Sequence, residues 1–189
     1  METVVVFLDY ANIDRAAADK GYRTDYAALL GYLSEGRFLQ EAYCYVPIDP
    51  RAPYARDAEI EDLWSAGYLM RSKPGVLAEE TYKCNFDVEI TLDLMRVAEQ
   101  LAPAIIVLAS GDGDFVPVLV ALRERGIRVE VAAFVDNAAR AMILKSSGFI
   151  DLEVYYRAGE TSGESGQGPS DASAEPESGG ADATADREI

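Results

Sequence analysis

The chain alternates short β-branched apolar runs with longer stretches of helical periodicity, and this alternation constrains the fold more than any other feature. "TVVVFLD", Thr3 to Asp9, is a continuous apolar run, the pattern of a strand covered on both faces. "FLQEAYCYV", ending at Pro47, "YLMRS", "AIIVLAS" and "IRVEVAAF" read as further strands, and "DLEVYY" as a closing edge strand. Helical patterns fill the gaps. "TDYAALLGYLSEG" has Thr24 positioned as its cap and Gly36 as its stop. "RDAEIEDLWSAG" sets Ile60, Leu63 and Trp64 on one side, and "NFDVEITLDLMRVAEQL" sets Val88, Leu92, Met95 and Leu101 roughly in line. "DFVPVLVALRERG" carries Pro117 in its first turn, where proline is tolerated, and "NAARAMILKSSG" is the last helix. Strands separated by helices imply parallel crossovers, hence a three-layer α/β/α sandwich with a mainly parallel central sheet. The functional crevice of such sheets lies beyond the carboxyl ends of the strands.

This unit spans residues 1–157. From Ala158 the composition changes to Gly, Ser, Ala and Pro without a single aromatic residue, with eight acids against Arg187 alone. A segment of this kind does not bury enough apolar surface to order itself, so residues 158–189 read as a disordered acidic tail. The tail carries −7 of the net −16 and leaves −9 on the body. It is a candidate contact for a protein partner.

Several function classes drop out on composition. The chain contains no histidine, which removes Ser–His and Cys–His catalysis and the commonest transition-metal ligand. Two cysteines, Cys44 and Cys84, do not make a disulfide framework and point to a reducing cytoplasm. No run approaches the roughly 18 apolar residues of a membrane span, and "METVVVFLDY" lacks the features of a signal peptide. Any metal here is a hard cation held by oxygen.

Two strand ends carry charge where the crevice is expected: "FLDYANI", with Asp9 and Asn12, and "SGDGDF", with Ser110, Asp112 and Asp114. Each acid has a structural reading. Asp114 is placed to cap the helix that follows, and Asp112 to favour the positive end of the same helix. Asp9 ends an apolar run inside the sheet, where a lone charge is costly, so it pairs with an arginine or serves a site. "KCNFDVEITLDLM" adds Asp87 on the first turn of a helix beside core-like Ile90 and Thr91, which turns it inward. Glu89 reads as solvated. Four acids converging at one sheet end repel unless compensated, and Mg²⁺ or Mn²⁺ supplies compensation at a histidine-free site.

"FLDYANI", "KCNFDVEITLDLM" and "SGDGDF", in this order, resemble the NYN domain (LabA-like) proteins of the PIN-like and FLAP nuclease superfamily. The resemblance covers about Val4 to Leu152. It implies a PIN-like, Rossmannoid sandwich and a metal-dependent ribonuclease site. Asp9, Asp87, Asp112 and Asp114 would be the catalytic and metal-binding acids, with Asn12 holding the loop or touching substrate and Ser110 orienting the aspartate loop. Lys83 matches the lysine that usually precedes the helix aspartate. One departure stands out: "KSSGFIDL" places Ser147 and Gly148 where the family often has an alanine–aspartate pair, although Asp151 is close by.

The implied reaction is hydrolysis of single-stranded RNA by metal-activated water. An acidic body needs a local basic rim to meet a phosphate backbone. Arg15, Lys20, Arg23, Arg71, Lys73, Lys83 and Lys145 are candidates, with Arg71 and Lys73 favoured because "RSKPG" opens a loop at the strand-end face. Tyr10 reads as a buried tyrosine or a base-stacking one. The rival reading is a non-catalytic regulator on the same fold that binds RNA or a protein partner; self-association into a homo-oligomer is a separate expectation. A phosphatase would carry a D-x-D pair after the first strand, and "LDYAN" lacks one.

Overall fold

The structure, a computed structural model, describes residues 1–78 and 81–163, with backbone alone at 160–163. Thr3–Asp9 (β1) is followed by helices Tyr10–Asp19 (α1) and Tyr26–Leu33 (α2), strand Phe38–Ile48 (β2), helix Asp57–Ser65 (α3) and strand Leu69–Pro74 (β3). A short hairpin, Val76–Ala78 (β4) and Thr81–Lys83 (β5), leads into helix Asp87–Gln100 (α4) and strand Ile105–Ala109 (β6). A 3₁₀ turn at Gly113–Phe115, helix Val116–Glu124 (α5), strand Arg128–Ala133 (β7), helix Arg140–Lys145 (α6), strand Gly148–Asp151 (β8) and helix Leu152–Gly163 (α7) complete it.

Six strands form one sheet in the order β3-β2-β1-β6-β7-β8, and every pair in it is parallel. The fold class read from the sequence is therefore the observed one. Alternation along β1 feeds two cores. Val4, Val6 and Leu8 pack toward α1, α2, α3 and α7, through Ile13, Leu29, Leu33, Leu63 and Tyr156. Val5 and Phe7 pack toward α4, α5 and α6, through Ile90, Leu94, Leu119 and Met142. From β1 the chain moves to one side through β2 and β3, then returns to lay β6 on the other flank of β1. The order reverses between β1 and β6, so the crevice opens beyond their carboxyl ends.

Several local expectations are corrected. "DLEVYY" is helical: the edge strand is β8, and Asp151 Oδ1 accepts from Glu153 N at 3.0 Å to start α7. Leu152 and Tyr156, at i and i+4, are the buried face of that helix. Helix α7 continues past Arg157 to Gly163, and the rest of the acidic tail lies outside the described residues. Asp25, not Thr24, caps α2 by accepting from Ala28 N at 2.9 Å, while Thr24 Oγ1 pairs with the Tyr156 hydroxyl. Trp64 does not share the buried side of α3 with Leu63: it is 68% exposed. On α4 the row Val88 and Leu92 faces solvent, and Ile90, Asp93, Leu94, Val97 and Ala98 are buried instead. The buried row carries an acid, which disguises it, but Asp93 is satisfied by the Tyr45 hydroxyl at 2.9 Å and by Arg96 and Arg71. "RSKPG" opens no loop: β3 runs on to Pro74, paired with Ile48, before the hairpin. No helix among the described residues is long and apolar enough to cross a membrane.

Candidate metal centre and its rim

Leu8 of β1 and Ala109 of β6 are register partners, so Asp9 and Ser110 leave the sheet side by side. Ser110 is fully buried, and its Oγ donates to Asp9 Oδ2 at 3.0 Å. The same Oγ accepts from Asp112 N at 3.2 Å, and Asp112 Oδ1 accepts from Asp114 N at 3.0 Å. Asp112 thus caps the 3₁₀ turn, the role expected of Asp114, which leaves the exposed Asp114 carboxylate unused by the backbone. Asp9 also caps α1, accepting from Asn12 N at 3.4 Å. Asn12 Oδ1 accepts from Gly111 N at 2.9 Å, and Gly111 O accepts from Ala139 N at 2.9 Å. The loop after β6 is thereby tied to α1 on one side and to the segment before α6 on the other. Gly111 is needed there, because an added Cβ would lie 2.8 Å from Asn137 O.

Asp87 enters from the start of α4, with Asn85 Nδ2 donating to its Oδ2 at 2.7 Å. Asp87, Asp112 and Asp114 each bring a carboxylate oxygen within 4.8 Å of the other two. Asp9 stands outside that triad but lines a cavity of about 150 Å³ together with Asp87, Asp112, Asn12 and Arg15. None of these four acids forms an ion pair among the described residues. Burial pushes the Asp9 carboxyl up to about 6, against the pull of its bonds from Ser110 and Asn12, and the Asp87 and Asp112 charges add to the rise. Burial, then Asp112 and Asp114, hold Asp87 above the usual carboxylate range. Like charges are gathered here with no cation in ion-pair contact among the described residues, although Lys73 partly offsets the rise at Asp87.

The other sequence-picked residues fall around this cluster. Lys83 is exposed at the end of β5 and lines a larger cavity of about 610 Å³ with Arg15, Lys73, Tyr82 and Asn85. Lys73 is held by Glu89 and lies over the Phe86 ring. That pairing keeps Glu89 below its ordinary pKa, so Glu89 is not the simple solvated acid expected. Arg71 faces away, over Tyr43 and 3.5 Å from Asp93. Tyr10 is buried and donates to Glu59 at 2.5 Å, which occupies its hydroxyl. Asn85 and the β4–β5 hairpin escaped the sequence reading. An Asn two residues before Asp87 was the available signal for the first, and three-residue strands give almost none for the second.

The NYN domain profile matches residues 3–153. The chain belongs to the NYN domain family. This membership places it in the PIN-like nuclease superfamily. The NYN chain is 29% identical over 163 residues to the Low amplitude and bright protein LabA of Synechococcus elongatus, covering 79% of this chain and 83% of that protein. It also superposes on the crystal structure of a protein of unknown function from Vibrio parahaemolyticus, with a TM-score of 0.68 and 22% identity. That match spans 80% of this chain and 93% of the other and speaks for the fold.

Proposed function

We propose that this NYN domain is a metal-dependent nuclease that hydrolyses single-stranded RNA. The observation that carries the reading is the triad Asp87, Asp112 and Asp114, three carboxylates within mutual reach and unpaired by any lysine or arginine among the described residues. An all-oxygen set of this charge fits a hard divalent cation, Mg²⁺ or Mn²⁺, and disfavours softer metals. Asp87, Asp112 and Asp114 would hold the ion, and Asp9 would complete the negative field from the floor of the same cavity. A divalent cation held there would supply an activated water and charge compensation at the phosphate. The chain's own contribution is position. Ser110 fixes Asp9 and the Asp112 backbone together, and Asn12 clamps Gly111, so the acids are preorganised before substrate arrives. The family resemblance supports RNA as the substrate, and the free thiols of Cys44 and Cys84 support a cytoplasmic setting.

The test incubates labelled single-stranded RNA and DNA with the protein in Mn²⁺, Mg²⁺ or EDTA, beside Asp112→Asn. Cleavage of RNA that needs the cation and disappears in the variant is expected. Equal cleavage by the variant, or none by wild type with any cation, refutes the reading.

A further inference from the structure

Two cations next to the acid cluster have no carboxylate partner. Arg15 on α1 and Lys83 on β5 are both exposed, and neither forms an ion pair or a side-chain hydrogen bond among the described residues. Their neighbours are committed: Lys73 to Glu89, Arg71 to Asp93 and Arg56 to Glu59. In a chain of net charge −16, two unpaired cations facing one cavity mark a place that favours an anion. The cavity of about 610 Å³ that they share adjoins the acid cavity, since Arg15, Cys84 and Asn85 line both.

The wall of the larger cavity is the β4–β5 hairpin, and it is built into the fold. Leu77 pairs with Tyr82 and Val76 with Lys83. Gly75 makes this approach feasible, because a Cβ there would lie 2.4 Å from Tyr82 Cδ2 and 2.9 Å from Lys83 O. The half-buried Tyr82 ring lines this cavity and a second one that Arg15 also borders.

We propose that this cavity seats the nucleotides on one side of the cleaved phosphate, with a backbone phosphate between Arg15 and Lys83 and a base on the Tyr82 ring. The inference rests on the nuclease reading above and specifies the path of its substrate. A lone ring on a cavity wall takes an unstacked base, so the seat selects single strands and tolerates any base. Two cations at the mouth of an acidic centre also draw the phosphate past the repulsion of Asp9 and Asp87.

Fluorescence anisotropy tests this without hydrolysis. The probes are a labelled ten-nucleotide unstructured RNA, DNA of the same sequence and an RNA duplex, titrated in EDTA and again in Ca²⁺. Wild type should prefer the single strands. Arg15→Ala and Lys83→Ala should each weaken binding and reduce the log–log salt slope by about 0.7. Tyr82→Ala should lose roughly tenfold in affinity while Tyr82→Phe keeps it. Arg125→Ala makes the same change in charge at the opposite end of α5 and should bind like wild type. Unchanged binding and salt slope in Arg15→Ala and Lys83→Ala overturn the seat, as does an equal loss in Arg125→Ala or a preference for duplex. Binding with the expected pattern but no cleavage in Mn²⁺ refutes the nuclease reading alone; cleavage with normal binding by the variants refutes the seat alone.

Discussion

Replacing Asp9 by asparagine separates the electrostatic cost of the site from its use. The folded protein holds the Asp9 proton more tightly than an unfolded chain, at about 6 against 3.8. Its ionised form is therefore the destabilising one. The cost is close to zero below the unfolded value, grows through that window and reaches roughly 3 kcal/mol above it, at 1.36 kcal/mol per pKa unit. Asparagine keeps the shape and can still accept from Asn12 N, and its amide can meet Ser110 Oγ. In metal-free protein near neutral pH, Asp9→Asn should melt about 6–12 °C higher than wild type, at 2–4 °C per kcal/mol for this size. Below about pH 4 the two should converge, since wild-type Asp9 is then neutral. Comparing the two proteins cancels the opposite drift of Glu89 and Asp49, whose folded values are lowered. Adding Mn²⁺ should narrow the gap. At a hundred times its dissociation constant a ligand stabilises by about 2.7 kcal/mol, and a variant that binds more weakly gains less. Thermal scans across pH, with EDTA and with Mn²⁺, read all of this. A difference that stays flat with pH, or equal Mn²⁺ stabilisation of both proteins, would refute the argument.

Calorimetric titration of Asp112→Asn with Mn²⁺ should show much weaker binding than wild type, because that carboxylate both joins the triad and caps the turn carrying Asp114. Gly111→Ala forces a Cβ against the Asn137 backbone and should cost about 1–3 kcal/mol in chemical denaturation, with cation affinity falling in parallel. Asp93→Ala strands the Tyr45 hydroxyl in the core and should cost about 1–3 kcal/mol without touching cation affinity, since Asp93 lies in the middle of α4 and outside the acid triad. Truncation after Gly163 should leave both the melting temperature and Mn²⁺ binding unchanged, because the removed segment has no aromatic side chain to pack.

What was legible in the sequence was whatever periodicity and strand ends encode. β1 and β6 are apolar runs and β7 is one broken by Glu130, and parallel pairing in one sheet follows from the helices between them. The acids were readable because each sits where an element ends, which a sequence marks well. The partners of the cations were not readable. Arg71 and Lys73 looked free at a loop, yet β3 carries them past Asp93 and Glu89 on α4, a tertiary approach that no local pattern records. The inward face of α4 was hidden for a similar reason. Asp93 interrupts its apolar row, and the Tyr45 hydroxyl from β2, with Arg71 and Arg96, makes that interruption tolerable. "DLEVYY" alternates like a strand, but capping by Asp151 decides for helix before the alternation counts.

The reversal of strand order between β1 and β6 has a consequence for the newly made chain. Asp9 emerges from the ribosome early, yet its Ser110 partner is about a hundred residues behind it, and Asp87 faces Asp112 and Asp114 only after β6 has slotted in beside β1. Until that last central strand arrives, the acids are scattered along a tether. A partly synthesised chain therefore lacks the acid triad altogether. Completion of the sheet is the step that assembles the site.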